Sequence, residues 1–351
     1  MNHKTADAKT NKTERTGKYD VLCIGTALID AIVQGFDPEP VSASGYRAQS
    51  CSLNVGGEAV NEVIALSKLG VNAGILCFLG TDMAGKMIES SLKQYGAGTD
   101  AIQWEETHPT PITTMLVRKD SSRSSITNPA HRYNFHPEKA DIAKYVSKVI
   151  TLGSLFRAPF DEPEIIKEVL TAAKQQGLMT IADTKLPNFR VLQLEDLSDS
   201  LPLIDHITPN EDEARYYTGK ETPEEMAEVF LDHGVKNVIL KLGRNGCYFR
   251  NRDESFSLPA FDVRAIDSTG AGDNFIAGFV SEILQGSTVL EALVFANACG
   301  AICTTAAGAG TALVDRAQVM AFIDAKEMEQ TQKPARSSAS EDRVGIARED
   351  L

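Results

Sequence analysis

The chain has 351 residues, 42% hydrophobic and 24% charged, the proportions of a globular protein with one large α/β domain or two smaller ones. Its formal net charge of −13 at pH 7 argues against a nucleic-acid or anionic-membrane partner, since both call for a basic face. A polyanionic small molecule stays open, because a few backbone N–H groups bind phosphate without any net charge.

The opening stretch "MNHKTADAKTNKTERTGKYD" is polar, with no apolar segment of a secretory signal. No run approaches the roughly 18 apolar residues of a membrane span. A cytoplasmic protein is expected. Residues 1–17 and 327–351 are polar and poor in large apolar side chains, and read as disordered tails around a domain over 18–326.

"YDVLCIGTALID" predicts one buried strand from Tyr19 to the neighbourhood of Asp30. Residues 31–55 hold no clear helix. "EAVNEVIALSKLG" then has helical periodicity and a closing Gly, followed by the strand-like "AGILCFLG". "PITTMLVRKDSSRSSITN" reads as a hairpin turning at "KDSS". Extra strands within about 31–55 and 111–128 suit a lid or an oligomer contact, with surface decoration as the alternative.

Further on, "EPEIIKEVLTAAKQQG" and "PEEMAEVFLDHG" are helical, while "MTIAD", "DHITPN" and "NVILKLG" are short buried strands. This alternation predicts an α/β fold with a mainly parallel sheet and helices on both faces. The six cysteines form no C-x-x-C pair and several lie in apolar runs, so buried reduced thiols are expected. No His/Cys cluster has zinc spacing.

Three Gly-rich stretches invite a phosphate reading. "GTDMAGKM" nearly fits a P-loop, but Met87 stands where Ser or Thr would hold Mg²⁺. The first strand is followed only by a lone Gly25, which does not make a dinucleotide fingerprint. "VRAIDSTGAGDNFIAGFVSEILQG" is more specific. Apolar residues after Asp273 predict a helix buried on one face, with Gly270, Ala271 and Gly272 at its N-terminus, where unpaired amides favour an anion. Taken locally, a tight turn capped by Asp273 is an equal reading.

Together with its neighbours, "DSTGAGDNFIAGF" resembles the C-terminal signature of the PfkB, or ribokinase-like, carbohydrate kinases. "GGEAVNEVIALSKLG" looks like that family's N-terminal signature, with Val63 where Ala is usual. "GTDMAGKM", "TPNEDEA" and "LKLGRNGCYF" follow in the family's order, Lys241 replacing a usual Thr. The resemblance spans roughly residues 19 to 324. It implies a three-layer α/β/α core with a mainly parallel central sheet and a small β-strand lid.

It also implies phosphoryl transfer from Mg·ATP to a sugar hydroxyl, with Asp273 as base and Gly270, Ala271 and Gly272 as the anion hole. The helix dipole would keep Asp273 ionised and only weakly basic. By the same resemblance Asp30, Gly56, Gly57 and Asn61 hold the sugar, and Lys241, Gly243, Gly246 and Asn297 border ATP. Asn210 and Glu213 would organise Mg²⁺ through water, a helix cap being the alternative. Asp267 and Thr269, with carbonyls near Cys303 and Gly308, match a monovalent-cation (K⁺) site of some members, although "TTAAGAG" departs from the usual pattern. Lys185 could reach a phosphate or be a solvated surface lysine.

Residues 21–61 carry four acids (Asp30, Asp37, Glu39, Glu58) against Arg47, which favours a neutral or weakly charged sugar over a sugar phosphate. A nucleoside kinase of the same superfamily and an inactive sugar-binding relative are the alternatives. The family commonly pairs through its lid strands, so a homodimer is expected.

Overall fold

A computed structural model describes residues 17–36, 47–120, 122–128 and 134–332. The chain enters as β1 (Tyr19–Ile24), whose alternate residues face opposite ways. Val21 and Cys23 join one apolar cluster, Leu22 and Ile24 the other. At Gly25 it leaves this sheet and continues as β2 (Leu28–Phe36), paired antiparallel with β3 (Ser50–Gly56). The single strand expected over "YDVLCIGTALID" is therefore two strands in different sheets, and Asp30 lies within β2. After α1 (Glu58–Lys68), "AGILCFLG" divides likewise into β4 (Ala73–Leu76) and β5 (Phe78–Gly80). Both runs are mostly apolar on either side of the break, and such a run carries no mark of which sheet it joins.

Next come α2 (Met83–Gln94), β6 (Gln103–Glu105), β7 (Ile112–Arg118) and β8 (Arg123–Thr127). Asp82 begins α2, accepting from Gly85 N at 2.9 Å and Thr110 N at 2.8 Å, so the near-P-loop stretch makes a helix cap. β7 and β8 complete a second, four-stranded sheet in the order β3-β2-β7-β8, across the segments where lid strands were expected. Residues 37–46 and Ser121 of those segments lie outside the described residues.

The remaining elements are β9 (Val146–Leu155), α3 (Pro163–Gln175), β10 (Met179–Thr184), β11 (His206–Ile207), α4 (Glu211–Thr218), α5 (Pro223–Asp232), β12 (Asn237–Lys241), β13 (Cys247–Arg250), β14 (Ser255–Leu258), α6 (Ala271–Gln285), α7 (Val289–Cys303) and α8 (Arg316–Gln332). The main sheet runs β14-β13-β12-β11-β10-β9-β1-β4, parallel from β12 to β4. Helices α1, α6, α7 and α8 pack on one face and α3, α4 and α5 on the other. This is the expected three-layer α/β/α arrangement with a mainly parallel sheet.

Two expectations need correction. Helix α6 is buried from Asp273 through Glu282 without a break, not on one face, because it lies between α1 and α7. Helix α8 continues to Gln332, past the expected domain end at 326, while 1–16 and 333–351 lie outside the described residues. All six cysteines are free. Cys51 departs from the expected burial because it sits on β3, at the edge of the second sheet.

Candidate active site

The parallel strands end where the candidate residues gather, the edge at which α/β sheets bind ligands. Helix α6 starts there. Gly270 has φ 75°, and a Cβ on it would stand 2.5 Å from Ala309 O, so only glycine fits. No side chain caps this helix, leaving its mouth free of the usual carboxylate or hydroxyl plug. Ala271 N turns to Ser268 O at 3.2 Å, so this amide is partly spent within the turn. A Cβ on Gly272 would stand 3.1 Å from Lys241 Nζ, and the bare backbone admits the ammonium beside the helix start.

Asp273 is only 6% exposed, yet its surroundings are polar. Asn61 Nδ2, from α1, donates to Asp273 Oδ2 at 2.6 Å across the two signatures that are farthest apart in sequence. Burial raises its carboxyl to about 6, opposed by Lys185 and by the Asn61 hydrogen bond, and reinforced by Glu58 and Asp183. Burial thus acts against the helix dipole, which was expected to keep Asp273 ionised and only weakly basic. Desolvation outweighs a dipole that acts over only the first turn.

Asp30 faces the same region from β2. Its Oδ2 lies 2.4 Å from where a Cβ on Gly56 would stand, so the bare Gly56 makes room for the carboxylate. Burial, and then Glu58, raise its pKa. Gly57 has φ 102°, and a Cβ there would stand 2.3 Å from Thr26 O, which ties the start of α1 to the chain entering β2.

On the other side of α6, Lys241 Nζ donates to Asp183 Oδ1 at 2.6 Å, and Thr208 Oγ1 donates to the same oxygen at 2.9 Å. Asn210 and Glu213 form a reciprocal capping box on α4. Asn210 Oδ1 accepts from Glu213 N, and Glu213 Oε2 from Asn210 N, both at 3.0 Å. Thr184 Oγ1 also donates to Glu213 Oε2, at 2.8 Å, and burial followed by Asp183 raises the Glu213 carboxyl. The cap is real, and it sits beside Asp183 at the edge of the site. Among the described residues no group of three or more His, Cys, Asp or Glu converges as a direct metal ligand set.

Gly243 and Gly246 shape the turn after β12. Asn297 lies in α7 and is 9% exposed, with Nδ2 3.4 Å from Cys247 Sγ at the start of β13. Asp267 joins two loops. Its Oδ1 accepts from Thr269 N at 3.0 Å and Thr269 Oγ1 at 2.7 Å, and its Oδ2 from Gly308 N at 3.0 Å. Lys185, read from sequence as equally a surface lysine, is 30% exposed with Nζ 3.9 Å from Glu58 Oε1.

Sequence reasoning missed three residues. Asp183 ends a strand in "MTIADT" and looked like punctuation. Asn274 follows Asp273 directly, and its Nδ2 donates to Gly270 O at 2.8 Å and Ala309 O at 2.6 Å, clamping the helix mouth. Glu62 follows Asn61, is 1% exposed, and accepts from Thr151 Oγ1 at 2.5 Å. Burial and the nearby Asp273 push its carboxyl well up. The available signal was an acid on the apolar face of α1.

The description "pfkB family carbohydrate kinase" matches residues 18–316 of the chain. Ribokinase of Haemophilus influenzae is 29% identical over 285 residues, covering 79% of this chain and 89% of the relative. ATP-dependent 6-phosphofructokinase of Thermoanaerobacterium thermosaccharolyticum is 27% identical over 322 residues, covering 89% and 96%. Among solved structures, Arabidopsis thaliana ribokinase complexed with ribose and ATP superposes with a TM-score of 0.77 at 24% identity, covering 87% and 98%. A fructokinase double mutant from Vibrio cholerae, in a form with fructose, ADP and potassium ion bound, gives 0.70 at 22%, covering 88% and 100%. At these identities the structures speak for the fold.

Proposed function

The chain belongs to the pfkB family of carbohydrate kinases, and from that premise we propose that it moves the γ-phosphoryl group of ATP to a hydroxyl of a neutral or weakly charged sugar or sugar derivative. One observation carries the reading. An acid with its pKa raised to about 6 stands at the open mouth of a helix, aligned by Asn61. Asp273 takes the proton of the attacking hydroxyl as its oxygen bonds to phosphorus. The bond from phosphorus to the ADP oxygen breaks, and its electron pair leaves with ADP. Asp273 then returns the proton to solvent. A base near neutrality suits this step, and amides at Gly270–Gly272 suit the charge spread over the phosphoryl oxygens.

Asp30 and Asn61 fit as acceptors and donors for sugar hydroxyls, with Gly56 and Gly57 giving them close access. Of the four acids behind the neutral-sugar expectation, Asp30 and Glu58 lie close enough for Glu58 to raise the Asp30 carboxyl, and Asp37 and Glu39 lie outside the described residues. Lys241, Gly243, Gly246 and Asn297 would border ATP. Asn210 and Glu213 would hold Mg²⁺ largely through water, since Glu213 Oε2 is already engaged by the cap. Bound there it would supply neutralisation of phosphate charge. Asp267 and Thr269 supply the oxygens for a monovalent cation, for which the potassium-bound fructokinase is a precedent in the fold.

The exposed side chains of Leu53 and Ile126, on the outer strands of the second sheet, support a homodimer contact there. Light scattering that finds a monomer would remove it. The main test is ADP release from Mg·ATP over a panel of neutral sugars, sugar acids, sugar phosphates and nucleosides, in K⁺ and in Na⁺. Turnover is expected on a neutral sugar and faster in K⁺. A preference for a sugar phosphate or a nucleoside would overturn the substrate class, and no turnover on any member would overturn the kinase reading.

A further inference from the structure

The site holds a lysine that its own acids do not satisfy. Lys241 is spent on Asp183, 12% exposed with a 2.6 Å bond. Lys185 differs. Among the described residues its Nζ makes no hydrogen bond, and the carboxylate within ion-pair range, Glu58 Oε1, stands at 3.9 Å. A side chain 30% exposed, with no acceptor within hydrogen-bond range among the described residues, can turn its N–H donors to an acceptor that enters the site.

Its backbone is held with unusual care. Lys185 N donates to Leu155 O at 3.0 Å, and Tyr217 Oη donates to Lys185 O at 2.5 Å. Leu155 lies between Ser154 (φ 68°) and Phe156 (φ 75°), both in the left-handed region that side-chain-bearing residues seldom enter. The Phe156 ring stacks on Tyr217, centroids 3.9 Å apart. Such conformations persist where the surroundings over-determine them, and here they fix the point from which Lys185 projects.

The position is also informative. Lys185 feels Glu58 and Asp273 on the acceptor side, and Asp183 and Glu213 on the nucleotide side. Burial alone would lower its pKa, and these carboxylates more than reverse that, so it stays charged.

Resting on the kinase reading above, we propose that Lys185 is a further catalytic residue, its ammonium donating to an oxygen of the phosphoryl group as that group passes between nucleotide and sugar. It keeps its proton throughout, and its work is charge stabilisation where negative charge shifts in the transition state.

The test compares Lys185→Met, Lys185→Arg and the double variant Glu58→Gln/Lys185→Met, with folding followed by thermal melting. Lys185→Met should lower kcat roughly 10²–10³-fold with the sugar KM changed only a few-fold. The double variant should stay as slow as Lys185→Met. Recovery in the double variant would mean that Lys185 only balances Glu58, and would overturn the proposal. Normal kcat in Lys185→Met would do the same.

If Lys185→Met does not fold, Lys185→Arg carries the test through ADP binding with and without aluminium fluoride, a mimic of the phosphoryl in transit. The wild type should bind ADP more tightly with the fluoride, and Lys185→Arg should lose much of that gain at unchanged affinity for ADP alone. An undiminished gain would overturn the proposal. An inactive wild type would take down the kinase reading and this inference together, whereas an active wild type with an equally active Lys185→Met sinks this inference alone.

Discussion

Where the parallel strands begin, Asp205 collects donors on both carboxylate oxygens. Lys236 Nζ reaches one at 2.8 Å, and Thr180 N at 2.9 Å and Lys174 Nζ reach the other. Burial would raise its pKa, but those hydrogen bonds hold it at about 2. Where the same strands end, Asp273, Glu62 and Glu213 share a few donors among many acids, and all three are raised. The sheet thus has one edge whose acid is matched by lysines and a backbone amide, and one whose acids are held above their ordinary carboxylate range. The difference lies both in burial, deeper for Asp273, Glu62 and Glu213 than for Asp205, and in the donors, which at Asp205 include two lysine ammoniums.

Replacing Asp273 by Asn should break the comparison most severely. It removes the base, so kcat should fall about 10²–10⁴-fold with little change in ATP affinity. Near-normal turnover would remove Asp273 from that role. The same variant should be the more stable protein at alkaline pH. A carboxyl whose folded pKa is raised to about 6 favours folding fully only below its unfolded value of 3.8, and that contribution is lost as pH rises through 6. Above that, Asn removes a cost on the order of 3 kcal/mol, to be read in urea unfolding at pH 5 and pH 8. Equal stability at both pH values would contradict the raised pKa.

At the other edge Asp205→Asn should do the opposite. Its carboxylate contributes above the unfolded pKa, and the contribution fades as pH falls toward about 2. Loss at neutral pH should be about 1–2 kcal/mol after solvent screening, with kcat per folded molecule unchanged. Smaller still, kcat/KM should show an acid limb with a midpoint near 6, while the melting temperature shows no matching fall on acidification. Gly56→Ala should raise the sugar KM only a few-fold, because its Cβ would press on Asp30 Oδ2 from 2.4 Å.

The paired edge was invisible in sequence, while most of the reactive edge was legible. Gly270, Gly57 and Asn61 are tied to backbone positions that tolerate few alternatives, so their spacing travels with the site. Asp205, Lys174 and Lys236 meet because β11 lies between β10 and β12 while α3 packs on β10, and nothing local marks them. Asp183 and Glu62 were missed for a related reason, since an acid ending a strand or interrupting an apolar helix face looks ordinary until its partners are known. The upward shift of the Asp273 carboxyl was not legible because a dipole is readable from a helix start, whereas desolvation is a property of everything packed around it.

The crossing of the chain at Gly25 leaves Asp30 on the small sheet, whereas Asp273 sits in the first turn of α6, packed against the large one. A sugar gripped as proposed would bridge the small sheet and α6, fastening one to the other at the instant its hydroxyl meets the base. Water is too short to act as such a crossbar. Resistance to wasteful ATP hydrolysis would then be a matter of reach, set by two carboxylates that the fold carries on separate supports.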